Sequence, residues 1–318
     1  MTSWRLADRT LDLARPIGAG IVNVTVDSMF EGARSGTPEQ AVEDGLALAE
    51  AGFEMLDVGA VAAKAGPPVP PEDEAAALVP AVEGLVSELR RFQSFPPYSE
   101  EKGGNDVAIP LSVDTFAPQV ARQALAAGAA VVNDISGGCE GMFGLVAETG
   151  CGYVLMHIEG PARVDRPWRE YDDAVDHLRS WFEGRVELAR DLGVAEEQIA
   201  IDPGLDFDLS PEQDLEILRR LGELRALGLP LYVSLSRKDF IGAVLAGSWE
   251  ERLPARQREW GTVAAVTLAV REGADVLRIH DRSSLQAMRV AAAIVRSTDA
   301  DGTKSAYMDR SSSRRGLG

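Results

Sequence analysis

Nine polar side chains stand at or just past the ends of short apolar runs: Asn23, Asp57, Asp114, Asn133, His157, Asp202, Lys238, Arg278 and His280. The carboxylates Asp114 and Asp202 and the amides Asn23 and Asn133 suit a heterocycle that carries both N–H donors and ring acceptors. Lys238, Arg278 and His280, as cations or near-cations, suit a phosphorylated tail. One pocket with a flat polar half and an anionic half would use them all. Each also has a plainer reading. Asp114 precedes a helix that it could cap, Asp202-Pro203-Gly204 is a turn sequence, and Arg278 has Asp281 nearby as an ion-pair partner. Asn133-Asp134-Ile135-Ser136-Gly137-Gly138 resists such a reading, because its Gly-Gly step lets the backbone come close to a bound ring. Ser236-Arg237-Lys238 opens a short helix whose first N–H groups, with the serine hydroxyl, suit a carboxylate or phosphate.

The runs that carry these residues are Gly20–Asn23, Met55–Asp57, Leu111–Asp114, Val131–Asn133, Tyr153–His157, Ala200–Asp202, Leu231–Ser234 and Val276–His280. Amphipathic stretches follow most of them. Strand then helix, eight times over, predicts a single (β/α)8 TIM barrel, whose chemistry sits at the C-terminal strand ends. The first helix is expected from Thr37 as N-cap, with Pro38 and Gln40 completing a capping box, to Ala51 and Gly52. Others are expected from Glu72, over Pro118–Ala127, Met142–Glu148 and Asp173–Leu192, after Ser210, over Asp239–Ala246 and Gln257–Glu272, and after Ser283 or Ser284. Phe92–Asp106, with two prolines and two glycines, reads as an extended loop before the third strand. The barrel is expected to fill residues 1–297, and 298–318 to form a disordered tail without periodicity.

A chain of 318 residues suffices for this fold, which typically takes ~250. Its net charge of −18 comes from 32 basic and 50 acidic residues. Nucleic acid is therefore excluded as a partner, since phosphate backbones need a basic face. No apolar run is long enough for a membrane span, and Met1–Pro16 lacks the apolar core of a secretory signal. The only two cysteines, Cys139 and Cys151, give no disulfide framework, which points to the cytoplasm.

The motifs, taken in order, resemble the dihydropteroate synthases. Asn23-Val24-Thr25-Val26-Asp27-Ser28 is similar to that family's first-loop motif. Ser112-Val113-Asp114-Thr115, Asn133 to Gly138, Leu155-Met156-His157, Asp202-Pro203-Gly204 with Phe207, Ser236-Arg237-Lys238 and Arg278-Ile279-His280-Asp281 match later strand ends. The resemblance implies condensation of 6-hydroxymethyl-7,8-dihydropterin diphosphate with 4-aminobenzoate, giving dihydropteroate and diphosphate. It implies that Asp114, Asn133, Asp202 and Lys238 bind the pterin, with Arg237 over its face and Met156 and Phe207 beside it. Asn23, Arg278 and His280 would hold the diphosphate, Asn23 also standing near Mg²⁺. Ser236 and the following helix N-terminus would take the aminobenzoate carboxylate. Arg278, His280 and Lys238 are then the expected catalytic groups, acting electrostatically on a departing anion. A homodimer through helices near the C-terminal end of the barrel is implied as well.

The second loop departs from the family pattern. Gly59 to Gly66 reads Gly-Ala-Val-Ala-Ala-Lys-Ala-Gly, so the usual Thr and Arg become Ala63 and Lys64. Lys64 joins the expected substrate-binding set, but it lacks the bidentate fork of arginine. After the sixth strand, the usual Gly-Phe-Gly-Lys is Asp206-Phe207-Asp208-Leu209. The sequence thus leaves two alternatives: a paralogue that binds pterin without condensing it, and a pterin-dependent methyltransferase. The Ser236–Lys238 and Arg278–His280 motifs point away from the second, whose methyl donor carries no diphosphate.

Overall fold

A computed structural model describes residues 2–24, 35–63, 66–91, 109–164 and 167–298. Eight parallel strands form its centre: β3 (Ile17–Asn23), β4 (Met55–Gly59), β5 (Leu111–Asp114), β6 (Val131–Asp134), β7 (Gly152–Met156), β8 (Ile199–Asp202), β9 (Tyr232–Ser234) and β10 (Val276–Ile279). Their order is β8-β7-β6-β5-β4-β3-β10-β9. An Ile201–Leu231 bridge joins the two ends and closes the barrel. Register places Asp114 beside Asn133 and Gly59, Met156 beside Asp202, and Arg278 beside Ser234. The polar strand ends therefore lie at one rim.

The sequence missed a short hairpin, β1 (Ser3–Arg5) with β2 (Thr10–Asp12). It plugs the opposite end of the barrel. Trp4 is fully buried among Ile17, Ala19, Met55, Val131, Val154, Ala200, Tyr232 and Val276, and its Nε1 donates to the Gln198 carbonyl at 2.7 Å. This apolar floor fills one end of the barrel, and the cavity described below lies at the other rim.

Helices cover the outside: α1 (Pro38–Ala51), α2 (Pro71–Arg91), α3 (Pro118–Ala126), α4 (Glu140–Thr149), α5 (Ala174–Asp191), α6 (Pro211–Arg219), α7 (Asp239–Ala246), α8 (Glu259–Arg271) and α9 (Arg282–Thr298). Each buries one stripe, as Leu78, Val82, Leu85 and Leu89 do on α2, at helical spacing. On α8 the surplus of apolar residues resolves into the buried stripe Thr262, Ala265, Val266, Ala269 and Val270.

The caps are half as expected. Thr37 and Ser210 accept from the Gln40 and Gln213 N–H groups, but the glutamine side chains turn away, to Asp44 and to the Tyr171 carbonyl. α8 begins two residues late because Ala255–Gln257 forms a 3₁₀ turn. α9 begins early because Asp281, not a serine, caps it, accepting from Ser284 N at 2.9 Å. The expected loop at 92–106, Lys64 and residues 299–318 of the expected tail lie outside the described residues.

Candidate active site

Alternation along a strand sends every second side chain into the barrel. Asn23, Asp114, Asn133, Met156, Asp202, Arg278 and His280 all take the inward phase and line one cavity at the rim, with Phe207, Ser236, Arg237 and Lys238 closing it from the connecting loops. All expected site residues within the described set are thus brought together. Two polar strand-end residues take the other phase. Asp134 faces outward, accepting from the Tyr153 hydroxyl at 2.7 Å and from Ser136 N. His157 follows the inward Met156 and so turns out against α5, its ring 4.9 Å from that of Trp181. It lies outside the cavity, although it ends one of the apolar runs.

Arg278 crosses the barrel. Its Nε lies 2.5 Å from Asp57 Oδ2 and its Nη2 2.7 Å from Asp114 Oδ2. Asp281, the partner expected from sequence, instead pairs with Arg237 Nη2 at 3.3 Å, because it lies past the strand, at the start of α9. Asp57 is the functional residue that sequence reasoning left without a role. It is completely buried and also accepts from Asn133 Nδ2 at 3.2 Å. One carboxylate therefore orients both the arginine and the amide. Asp114 makes no helix cap, since α3 begins at Pro118 after an Ala117 that has no capping side chain.

Asp202 serves as turn former and cavity wall together. Its Oδ1 accepts from Gly204 N at 2.8 Å while the side chain lines the cavity. Gly204 has φ of 69°, and a Cβ there would collide with the His157 carbonyl, so only glycine fits. Lys238 Nζ donates to the Leu205 carbonyl at 3.0 Å and sits 4.6 Å from the centroid of the Phe207 ring. Arg237, buried and at φ 58°, is held by the Ala255 carbonyl and Asp281.

The expected anion site at the α7 N-terminus needs correction. Asp206, at φ 73°, accepts from the Asp239 and Phe240 N–H groups at 2.7 and 3.1 Å. The first two amides of the helix are thus already engaged by a carboxylate of the chain. Ser236 Oγ lies 2.7 Å from His280 Nδ1 and accepts from His280 N at 3.3 Å.

Burial sets the protonation states. It pushes Asp114 up to about 7 although Arg278 pulls it down, and Asp57 adds to the rise. Asp202 is pushed up to about 6 by burial, against the Gly204 N–H and Lys238. Burial works against the charge of Arg278, yet Asp57 and Asp114 hold it above its ordinary value. His280 drops to about 3 through burial and the positive charges of Arg278 and Arg237. At that value the imidazole is neutral at pH 7, where the sequence reading has a cation or near-cation. The cavity offers two carboxylates poised near neutrality, an amide and an ammonium, with the guanidinium of Arg278 paired to Asp114. A neutral imidazole and a serine hydroxyl complete the lining. Such a surface can accept N–H donors from a flat ring and stabilise negative charge beside it.

Residues 19–280 match the family model described as pterin binding enzyme. The chain is 34% identical over 281 residues to the dihydropteroate synthase of Synechocystis sp., covering 87% of this chain and 89% of that protein. Among solved structures it is similar to Xanthomonas albilineans dihydropteroate synthase with 4-aminobenzoic acid, at 36% identity and a TM-score of 0.74, over 92% of this chain and 98% of that one. The same enzyme in complex with 7,8-dihydropteroate is 36% identical with a TM-score of 0.72, over 91% and 98%.

Proposed function

Because the chain belongs to the dihydropteroate synthases, transferases of the pterin-binding enzyme family, we propose that its cavity condenses 6-hydroxymethyl-7,8-dihydropterin diphosphate with 4-aminobenzoate by an electrostatic, dissociative route. The observation that carries this reading is the convergence of Asp114, Asn133, Asp202, Lys238 and Arg278 on one cavity. The ionised carboxylates accept the N–H donors of the pterin, and Asn133 and Lys238 meet its ring heteroatoms. The bond between the exocyclic CH₂ and its diphosphate oxygen breaks first, the electron pair leaving with the oxygen. Arg278, the His280 imidazole and Ser236 stabilise that departing charge. The aminobenzoate nitrogen then bonds to the CH₂ carbon and sheds a proton to water. No side-chain nucleophile is needed, and the neutral His280 acts by donating a hydrogen bond.

Mg²⁺ fits the donor set. Asn23 brings a hard amide oxygen to the rim, and Mg²⁺ commonly uses one or two protein ligands together with substrate phosphates and water. Bound there, it would neutralise charge on the diphosphate. The partners are then small molecules, and the chain itself. Trp260, Val290 and Ile294 stand exposed on α8 and α9, an apolar face that supports a homodimer. Both cysteines are free thiols, which supports a cytoplasmic setting.

Diphosphate release from the pterin diphosphate, measured with and without 4-aminobenzoate, tests the reading. Release that depends on aminobenzoate is expected. Tight pterin binding with no release in either case would assign the chain to a binding paralogue instead.

A further inference from the structure

Two of the chain's three histidines meet away from the cavity. His157 Nε2, at the outward-facing end of β7, lies 3.3 Å from His177 Nε2 on α5. Glu159 Oε1 lies 3.3 Å from the same His177 nitrogen, and no two of the three ligand atoms are more than 4.8 Å apart. In a tetrahedral zinc site with Zn–N bonds of 2.0–2.1 Å, neighbouring donor atoms are about 3.3 Å apart. Two edges of the triangle already have that length.

His157 is fully buried, and His177 and Glu159 are each partly so. A cation between the three groups would receive one lone pair from each of His157 Nε2, His177 Nε2 and Glu159 Oε1, with each imidazole carrying its proton on Nδ1.

The surroundings fix the carboxylate. Glu159 Oε2 accepts from the Tyr171 hydroxyl at 2.9 Å and from Arg169 Nη1 at 3.0 Å, leaving Oε1 turned to His177. The Tyr171 ring stacks on His177 with centroids 3.5 Å apart. Outer partners that hold ligands in place are a regular part of metal sites. The Arg169 charge opposes a cation, but it is spent on the other carboxylate oxygen.

We propose that His157, Glu159 and His177 form a site for a first-row divalent transition metal such as zinc, separate from the substrate cavity. Two imidazoles and one carboxylate leave a fourth position for water. The ion would tie the start of the β7–α5 connection to α5, beside the rim that carries Met156 and Asp202.

The test uses the full chain, stripped with a chelator and then titrated with Zn²⁺ and separately with Co²⁺. One equivalent of zinc should survive desalting, and Co²⁺ should give the intense visible absorption of tetrahedral coordination. Millimolar Mg²⁺ should not displace either ion. His177→Gln should weaken binding at least tenfold and abolish the tetrahedral spectrum, while melting like the parent chain in chelator. Should that variant fail to fold, Glu159→Gln carries the same test. Absence of stoichiometric zinc, an octahedral Co²⁺ spectrum, displacement by Mg²⁺, or full binding in the variant would each overturn the proposal. None of these readings depends on the condensation reaction.

Discussion

Asp57→Asn removes one negative charge from a fully buried network without changing the volume of the side chain. Asp57 Oδ2 accepts from Arg278 Nε at 2.5 Å and from Asn133 Nδ2 at 3.2 Å. An asparagine there has one oxygen to accept with and places an NH₂ against donors. Losing one member of a buried ion pair costs about 3–5 kcal/mol. Arg278 keeps Asp114 at 2.7 Å, so the expected loss lies at the lower end, about 3 kcal/mol. At roughly 2 °C per kcal/mol for a chain of this size, the melting temperature should fall by about 6 °C.

A second readout separates this network from loose packing. The Asp57 charge helps to hold Asp114 up at about 7. Its removal should lower the Asp114 pKa, so that the pH midpoint for pterin binding moves down. Asn133 loses its orienting acceptor as well, and pterin affinity measured by calorimetry should drop at least tenfold. The double variant Asp57→Asn/Asp114→Asn should lose more stability than the two single variants together, because it strands the Arg278 charge. A melting temperature within 1 °C of the parent, together with an unmoved midpoint, would refute the reasoning.

Three further outcomes are expected. Pterin affinity should strengthen as pH rises from 5 to 8 and then level off, by on the order of 1000-fold, because the ionised forms of Asp114 and Asp202, at about 7 and 6, accept from the ring; a flat profile in calorimetry would contradict this. Asp206→Gly should release the first two amides of α7, costing about 1 kcal/mol as a lost cap does while lowering the KM for 4-aminobenzoate, and steady-state kinetics showing a higher KM would count against it. Gly204→Ala should destabilise by more than 2 kcal/mol, through strain at φ 69° and collision with the His157 carbonyl, and should weaken pterin binding by shifting Asp202; denaturant unfolding checks the first and calorimetry the second.

The barrel was legible because parallel strands buried on both faces read as apolar runs, and each here ends in a polar residue at the rim. The hairpin that plugs the other end was not, since Ser3–Arg5 and Thr10–Asp12 are three residues each with one apolar side chain apiece. Most of the site followed from strand ends and motifs. The outward turn of His157 and Asp134 lay within reach: each follows an inward neighbour, and a period of two fixes the rest. The roles of Asp57 and Asp206 lay beyond it. Asp57 meets a partner 221 positions along the chain, and Asp206 turns back on a helix 33 positions away. Chain spacing carries no signal for either pairing.

The central claim is that side chains from separate strands grip one flat ring and its diphosphate in the rim cavity. A crystal structure with the pterin diphosphate and Mg²⁺ tests it most directly. The ring is predicted within hydrogen-bond distance of Asp114, Asn133 and Asp202, with Lys238 beside it and the diphosphate turned to Asn23 and Arg278. A ligand bound elsewhere, or a cavity in which Arg278 and Asp114 face away from it, would contradict the account.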